Sequence, residues 1–147
     1  MKIYLDGDGC PIIKIAEEVA KKHNIKSIIV CDVSHYYESD YSEIIKVGSG
    51  ADYADLKIVN SVSEGDIVAT NDMGLAALVL SKKCFVINFN GHLIDDNNID
   101  LLLQSRYLNK LNINKGRYPK GQKKRTEKQN IAFELQLEKM MEAIWWK

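Results

Sequence analysis

Aspartates follow two apolar, β-branched segments of this sequence. Asp6 and Asp8 come directly after residues 2–5, and Asp72 comes after residues 66–70. Two further aspartates follow a turn with two glycines, which completes a set of five: Asp6, Asp8, Asp52, Asp55 and Asp72. Carboxylate oxygens are the ligands that Mg²⁺ and Mn²⁺ prefer, and a cation relieves the repulsion between crowded carboxylates. The pattern predicts a Mg²⁺ or Mn²⁺ site held by these side chains.

The chemistry of such a site is phosphodiester hydrolysis. Carboxylates that hold a divalent ion against a phosphodiester help to activate a water and to stabilise the leaving oxygen. Asp6, Asp52 and Asp72 are the predicted catalytic residues. Each aspartate taken alone has a plainer interpretation as the N-cap of a helix, and the functional hypothesis depends on the set being gathered at one place.

The elements that would gather them form an α/β pattern over the first hundred residues. Apolar strands are predicted at 2–5, 27–31, 44–47, 66–70 and 84–87, with helices between them that begin near 11, 52 and 74. Continuous apolar strands separated by helices are typical of a parallel sheet that is covered on both faces. We expect a three-layer sandwich with a mainly parallel five-stranded sheet, and ligands at the carboxyl ends of its strands.

The last third of the chain has a different composition. Residues 1–100 contain 9 Lys and Arg against 16 Asp and Glu, whereas residues 101–147 contain 11 against 4. Two C-terminal helices are predicted, the second beginning at a capping box of Thr126 and Gln129. Between them, residues 113–125 are predicted to form a flexible basic loop within a single domain, 1–147.

The basic loop is a candidate surface for nucleic acid, because lysine and arginine attract phosphates. Its six basic residues are Lys115, Arg117, Lys120, Lys123, Lys124 and Arg125. Nearby aromatic side chains, Tyr107 and Tyr118, are suited to stacking on unpaired bases. The alternatives are a solvated loop that maintains solubility and simple attraction between an acidic and a basic half.

Composition excludes several other classes. The 147 residues are 46% hydrophobic and 27% charged, as in soluble globular proteins. No apolar run approaches the roughly 20 residues of a membrane span, and no signal peptide is recognised, so a cytoplasmic protein without membrane contact is expected. Three cysteines without a paired spacing predict reduced, packed thiols, although Cys10 precedes a helix start, which lowers a thiol pKa. Trp145 and Trp146 either close the core or meet a second copy.

Three segments resemble the YaiI/YqxD family of bacterial proteins. They are residues 3–11 (IYLDGDGCP), 50–55 (GADYAD) and 65–72 (GDIVATND). That family is related to PIN and NYN ribonuclease domains, so the resemblance implies a PIN-like fold and Mg²⁺-dependent cleavage of RNA, which is favoured over DNA. In NYN-type domains three aspartates occupy positions that correspond here to Asp6, Asp52 and Asp72.

One position departs from the NYN pattern, which has a further acid where this sequence has Gly74. Either Asp8 or Asp55 replaces it, or the site holds one metal. Two other functions therefore stay open. One is a nucleic-acid-binding module without catalysis, a degenerate PIN-like domain. The other is a haloacid-dehalogenase-like phosphatase with Asp6 as nucleophile, because Asp6-Gly7-Asp8 resembles the signature of that family.

Overall fold

The computed structural model describes residues 1–7, 9–49, 53–114, 116 and 124–145. Its strands are β1 (Lys2–Asp6), β2 (Lys26–Asp32), β3 (Glu43–Val47), β4 (Ile67–Ala69), β5 (Phe85–Ile87) and β6 (Leu93–Ile94). Its helices are α1 (Ile13–Lys22), α2 (Tyr53–Ser61), α3 (Met73–Leu80), α4 (Ile99–Asn114) and α5 (Glu127–Trp145). The predicted alternation of strands and helices is confirmed.

The strands form one sheet in the order β3-β2-β1-β4-β5-β6, and every neighbouring pair is parallel except β5 and β6. The prediction of five strands is wrong by one. The sixth strand follows a tight turn in which the Gly91 amide donates to the Asn88 carbonyl at 3.1 Å. At two residues, β6 is too short to show a periodicity in the sequence.

The two faces of the sheet bury separate apolar clusters. Ile3 and Leu5 of β1 pack with residues of α1 and α5, whereas Tyr4 between them packs with residues of α2, α3 and α4. Successive side chains of a strand point to opposite faces. The alternation therefore places Asp6, two residues after Tyr4, on the face that α2 and α3 cover.

Several element boundaries differ from the predicted ones by one or two residues. The first helix begins at Ile13 rather than at Pro11, which lies in the preceding turn. The fourth helix continues to Asn114, so the segment predicted to be a loop begins later than 113. Residues 115 and 117–123 of that segment lie outside the described residues. One half of the capping box is present, since the Thr126 amide donates to the Gln129 side chain at 2.9 Å.

In the part of the chain that the structure describes, none of the helices has both the length and the apolar character that crossing a membrane requires.

Candidate functional site

The strand order of the sheet has a switch point between β1 and β4. From β1 the chain passes to β2 and β3 on one side, and β4 and β5 then lie on the other side. In open α/β sheets, such a switch point leaves a crevice at the carboxyl ends of the strands, where ligands bind. Because Leu5 pairs with Ala69, the next residues, Asp6 and Thr70, are neighbours at this edge.

Asp6 and Asp72 are linked through the hydroxyl of Thr70. Thr70 Oγ1 donates to Asp6 Oδ2 at 2.8 Å and accepts from the Asp72 backbone N–H at 2.9 Å. Asp6 is only 7% exposed and Thr70 is fully buried. A buried carboxylate is costly unless hydrogen bonds or opposite charge compensate it. The Thr70 hydroxyl thus joins the buried carboxylate of Asp6 to the backbone of Asp72, two of the three predicted catalytic aspartates.

The carboxylate of Asp72 also caps α3. Its Oδ1 accepts from the amides of Gly74 at 2.8 Å and Leu75 at 3.3 Å, and its backbone is extended, as an N-cap requires. The plainer interpretation of this aspartate is therefore correct. The capping role is compatible with the predicted metal binding, because the cap holds the Asp72 carboxylate beside the switch point between β1 and β4.

The remaining predicted ligands are placed only in part. Asp55 lies in the first turn of α2 and is partly exposed. Asp8 and Asp52 lie outside the described residues. Among residues 1–7, 9–49, 53–114, 116 and 124–145, no group of three or more His, Cys, Asp or Glu side chains is arranged to hold a metal ion. The five-carboxylate site stays a prediction.

Of the six basic residues predicted to bind nucleic acid, two are described. Lys124 is exposed. Arg125 is half-buried, and its guanidinium donates to the Phe89 carbonyl at 2.6 Å, to Asn130 Oδ1 at 2.7 Å and to Asn90 Oδ1 at 3.3 Å. Through these contacts Arg125 anchors the start of α5 to the loop after β5. Lys115, Arg117, Lys120 and Lys123 lie outside the described residues.

The loop after β5 is held from both sides at this edge. The Phe89 amide donates to Asn71 Oδ1 at 2.8 Å, which ties the loop to the segment between Thr70 and Asp72. Gly91 has a φ of +86°, and a Cβ there would lie 2.6 Å from the Ala132 backbone of α5. Arg125 therefore belongs to a set of contacts that places the end of the basic segment near the carboxyl ends of β4 and β5.

The thiol of Cys10 is shielded. Burial raises the pKa of Cys10 to about 12, and the charge of Asp6 adds to the rise. The hydrogen bond with the Ile12 backbone and the charge of Arg125 oppose it. Proximity to a helix start predicts a lowered pKa for this thiol, and that prediction is wrong because desolvation of the thiolate dominates. The prediction of a packed thiol is confirmed for Cys10, which packs against the cluster between the sheet, α1 and α5.

A compact polar loop follows β2 at the same edge. Asp32 Oδ1 accepts from the Ser34 amide at 2.8 Å, from the Ser34 hydroxyl and from His35 Nδ1 at 3.0 Å. Hydrogen bonds with Ser34 and then with His35 lower the pKa of Asp32 to about 2. The Tyr37 hydroxyl donates to the Gly7 carbonyl, so this loop contacts the residue that directly follows Asp6.

Sequence reasoning missed the role of Thr70, which the strand pattern places only at the end of a predicted strand. It names Arg125 for phosphate binding but does not show that the guanidinium anchors the loop after β5. Both acquire their roles from partners far away in the chain, 64 positions for Thr70 and 36 for the Arg125 contact with Phe89. Knowledge that β4 neighbours β1 would have identified Thr70.

The fold and the site define an α/β protein with a six-stranded, mostly parallel sheet and acidic residues at its switch point. The chain belongs to the YaiI/YqxD family, whose model, described as "Uncharacterized BCR, YaiI/YqxD family", matches residues 4–143. A UPF0178 protein of Clostridium perfringens is 40% identical over 144 residues, covering 98% of this chain and 97% of the relative. A UPF0178 protein of Clostridium acetobutylicum is 38% identical over 136 residues, covering 91% and 92%. No solved structure matches the chain.

Proposed function

We propose that this protein is a divalent-metal-dependent nuclease that hydrolyses RNA at the carboxyl edge between β1 and β4. The observation that carries the proposal is the linkage of Asp6 and Asp72 through the Thr70 hydroxyl. The linkage joins the Asp6 carboxylate to the Asp72 backbone at a switch point, the usual ligand site of open α/β sheets. In this proposal the architecture is a three-layer, PIN-like sandwich, and Asp52 is the third catalytic carboxylate.

The chemistry of the donor set fits Mg²⁺ or Mn²⁺. The proposed ligands are carboxylates, which are hard oxygen donors. Asp6, at 7% exposure, carries a desolvation cost that a neighbouring cation would offset. Asp55 and Asp8 are the proposed additional ligands. When bound, the metal would lower the pKa of a water and stabilise the charge that develops on the leaving oxygen.

The protein's own residues supply position. Thr70 orients the Asp6 carboxylate, and the amides of Gly74 and Leu75 fix Asp72 at the start of α3. Such preorganisation reduces the rearrangement needed when substrate binds. In the proposal, the carboxylates hold the reacting phosphodiester through the cation, and no side chain of this set forms a covalent bond with phosphorus.

The basic segment supplies attraction for the substrate. Lys124 is exposed, and Arg125 anchors the segment's end beside the loop after β5. In the proposal, Lys115, Arg117, Lys120, Lys123 and Lys124 contact RNA phosphates. Their contribution should fall as salt concentration rises, because phosphate binding releases counterions.

The test is Asp72→Asn, assayed for Mn²⁺-dependent cleavage of single-stranded RNA. Asparagine caps helices about as well as aspartate, so the fold is preserved while a ligand charge is lost. We expect cleavage to fall by more than the about 10- to 100-fold typical of changes around a metal site. RNA binding should be preserved or tightened, because one repulsive charge is removed. Unchanged cleavage would defeat the proposal.

A matched control is Asp95→Asn. Asp95 is an exposed aspartate whose Oδ1 accepts from the Asn97 amide at 2.9 Å shortly before α4. It follows β6, which runs antiparallel to β5, and therefore lies toward the opposite edge of the sheet. Cleavage by this variant should equal that of the unmodified protein. Mn²⁺ should also raise the midpoint of thermal unfolding of the control more than that of Asp72→Asn.

Two other outcomes would point to the other functions. Salt-sensitive RNA binding with intact RNA after long incubation with Mg²⁺ or Mn²⁺ would identify a binding module without catalysis. A phosphoaspartate on Asp6 that survives acid quench and reacts with hydroxylamine would identify a phosphatase, since a metal-dependent nuclease forms no such intermediate.

A further inference from the structure

The loop after β2 exposes an aromatic ring beside the candidate site. Tyr36 is 73% exposed, the highest value among the large hydrophobic side chains of the described residues. Its neighbours in sequence, His35 and Tyr37, are partly buried and stack on each other with ring centroids 6.4 Å apart and an interplanar angle of 7°. Residues 35 and 37 thus pack toward the protein, while the ring of Tyr36 is left in solvent.

The ring is exposed on a loop that is firmly held. The Val33 amide donates to the Val47 carbonyl at 3.1 Å, and the His35 amide donates to the Asp32 carbonyl at 3.2 Å. The Tyr36 hydroxyl donates to the carboxylate of Glu38, which restrains the side chain itself. A ring ordered in advance loses little entropy when a flat ligand stacks on it.

A cation accompanies the ring. Lys46 Nζ lies 5.1 Å from the centroid of the Tyr36 ring. Lys46 belongs to β3, and Tyr36 lies in the loop that connects β2 to β3, so the ring and the ammonium come from consecutive parts of the chain. Aromatic rings next to lysine or arginine combine a stacking surface for a base with a charge for the adjoining phosphate.

The position of this pair relates it to the switch point. The Tyr37 hydroxyl donates to the carbonyl of Gly7, which directly follows Asp6, and β2 is the neighbour of β1 in the sheet. Adjacent strands are about 4.8 Å apart. Lys46 pairs with Cys31, one position beyond the Val30 that pairs with Asp6, so its side chain lies on the opposite face of the sheet from Asp6. A strand of nucleic acid that crosses this edge of the sheet from Asp6 would bring a neighbouring base to the loop.

We propose that Tyr36 and Lys46 form a base-stacking subsite for single-stranded nucleic acid next to the candidate cleavage site. Because Lys46 Nζ lies over one face of the Tyr36 ring, an unpaired base stacks on the other face, and the ammonium contacts the adjoining phosphate. The inference takes the class of ligand, nucleic acid, from the proposed function. It adds that the bound strand must be unpaired at this position. Base pairing would cover the stacking surface within a duplex.

The test measures binding without cleavage. A short fluorescein-labelled oligoadenylate is titrated with the full chain in EDTA, and fluorescence anisotropy gives the dissociation constant. We expect Tyr36→Ala to weaken binding about tenfold, as the loss of one stacked base does. Tyr36→Phe should bind like the unmodified protein, because it keeps the ring. An oligonucleotide of the same length that lacks its bases should bind weakly. Its dissociation constant should be the same for Tyr36→Ala and for the unmodified protein.

Two further variants complete the design. Lys46→Gln should lower the slope of log Kd against log salt by about one, as the loss of one phosphate contact does. Phe85→Ala is the matched control, since Phe85 is a partly exposed ring at the first residue of β5, on the opposite edge of the sheet. Its affinity should not change.

The inference is overturned if the unmodified protein does not bind the oligoadenylate, if Tyr36→Ala binds within about twofold of it, or if Tyr36→Phe loses as much affinity as Tyr36→Ala. Its failure is separable from that of the proposed function. If binding depends on Tyr36 but no Mn²⁺-dependent cleavage occurs, the proposed nuclease function is contradicted and the stacking subsite is supported. If cleavage occurs but binding does not depend on Tyr36, the subsite is contradicted and the nuclease function is supported.

Discussion

The hydroxyl of Thr70 donates a hydrogen bond of 2.8 Å to the buried carboxylate of Asp6, 64 positions earlier in the chain. The same oxygen accepts the backbone N–H of Asp72. One small side chain at the end of β4 thus determines how the end of β1 and the start of α3 meet. The contact therefore fixes polar groups at the carboxyl ends of these two neighbouring strands.

We expect Thr70→Val to disturb these polar groups while preserving side-chain shape. The valine cannot donate to Asp6 or accept from Asp72, so buried polar groups lose a partner. The free energy of unfolding should fall by about 1–3 kcal/mol, measured by urea denaturation. The stabilisation of the protein by Mn²⁺ should also decrease. Thr70→Ser, which keeps the hydroxyl, should retain the response to Mn²⁺, and an equal response in both variants would contradict this role.

The aspartates at the carboxyl ends of the strands could be predicted because they follow from local sequence. Asp6 ends an apolar segment, and Asp72 follows another shortly before a predicted helix. Their placement at the same edge of the sheet required only that the strands be parallel. The role of Thr70 could not be predicted, because it depends on β1 and β4 being direct neighbours, and strand order is set by packing of the whole chain.

Local rules are also incomplete where burial decides the environment of a side chain, and for the pKa of Cys10 the expectation is wrong. Cys10 lies just before a helix, a position that lowers a thiol pKa, yet desolvation raises that pKa to about 12. Arg125 has basic neighbours in the sequence, yet its guanidinium is directed to Phe89, Asn90 and Asn130. Sequence spacing does not indicate how deep a side chain lies, so neither environment could be predicted from it.

Arg125 and Lys124 are adjacent basic residues with different expected roles. Arg125→Gln removes hydrogen bonds from a charged, half-buried group, and the free energy of unfolding should fall by about 1.5–3 kcal/mol. Lys124→Gln changes an exposed side chain and should stay within about 0.5 kcal/mol of the unmodified protein. Urea denaturation of both variants measures the difference. Equal losses would show that the contacts of Arg125 with the loop after β5 do not stabilise the fold.

Asp32 should contribute to acid sensitivity. Its pKa is lowered from 3.8 to about 2 by hydrogen bonds with Ser34 and His35. A group with a lowered pKa in the folded state stabilises the protein above its unfolded pKa, and this contribution is lost as pH falls toward the folded value. Urea denaturation between pH 5 and pH 2, the window set by about 3.8 and about 2, should show a shallower fall for Asp32→Asn.

The control for acid sensitivity is Asp40→Asn, which removes an exposed carboxylate from the same segment between β2 and β3. Its pH profile should follow that of the unmodified protein. If Asp32→Asn and Asp40→Asn lose stability in parallel as pH falls, the hydrogen bonds of Asp32 with Ser34 and His35 do not stabilise its charged form.

Cys10 should resist alkylation in the folded protein. With a pKa of about 12 instead of 9.0, only on the order of one thiol in 10⁴ is ionised at pH 8, and the thiolate is the reactive form. Iodoacetamide at pH 8 should leave Cys10 unmodified in the native state and modify all three cysteines in urea, as read by mass spectrometry of peptides.

Because the folded pKa of Cys10 is raised, the neutral thiol stabilises the fold below pH 9, and this contribution declines as pH rises toward 12. Rapid native alkylation of Cys10 would mean that the thiol is open to solvent, and the packing between β1, α1 and α5 would then need revision.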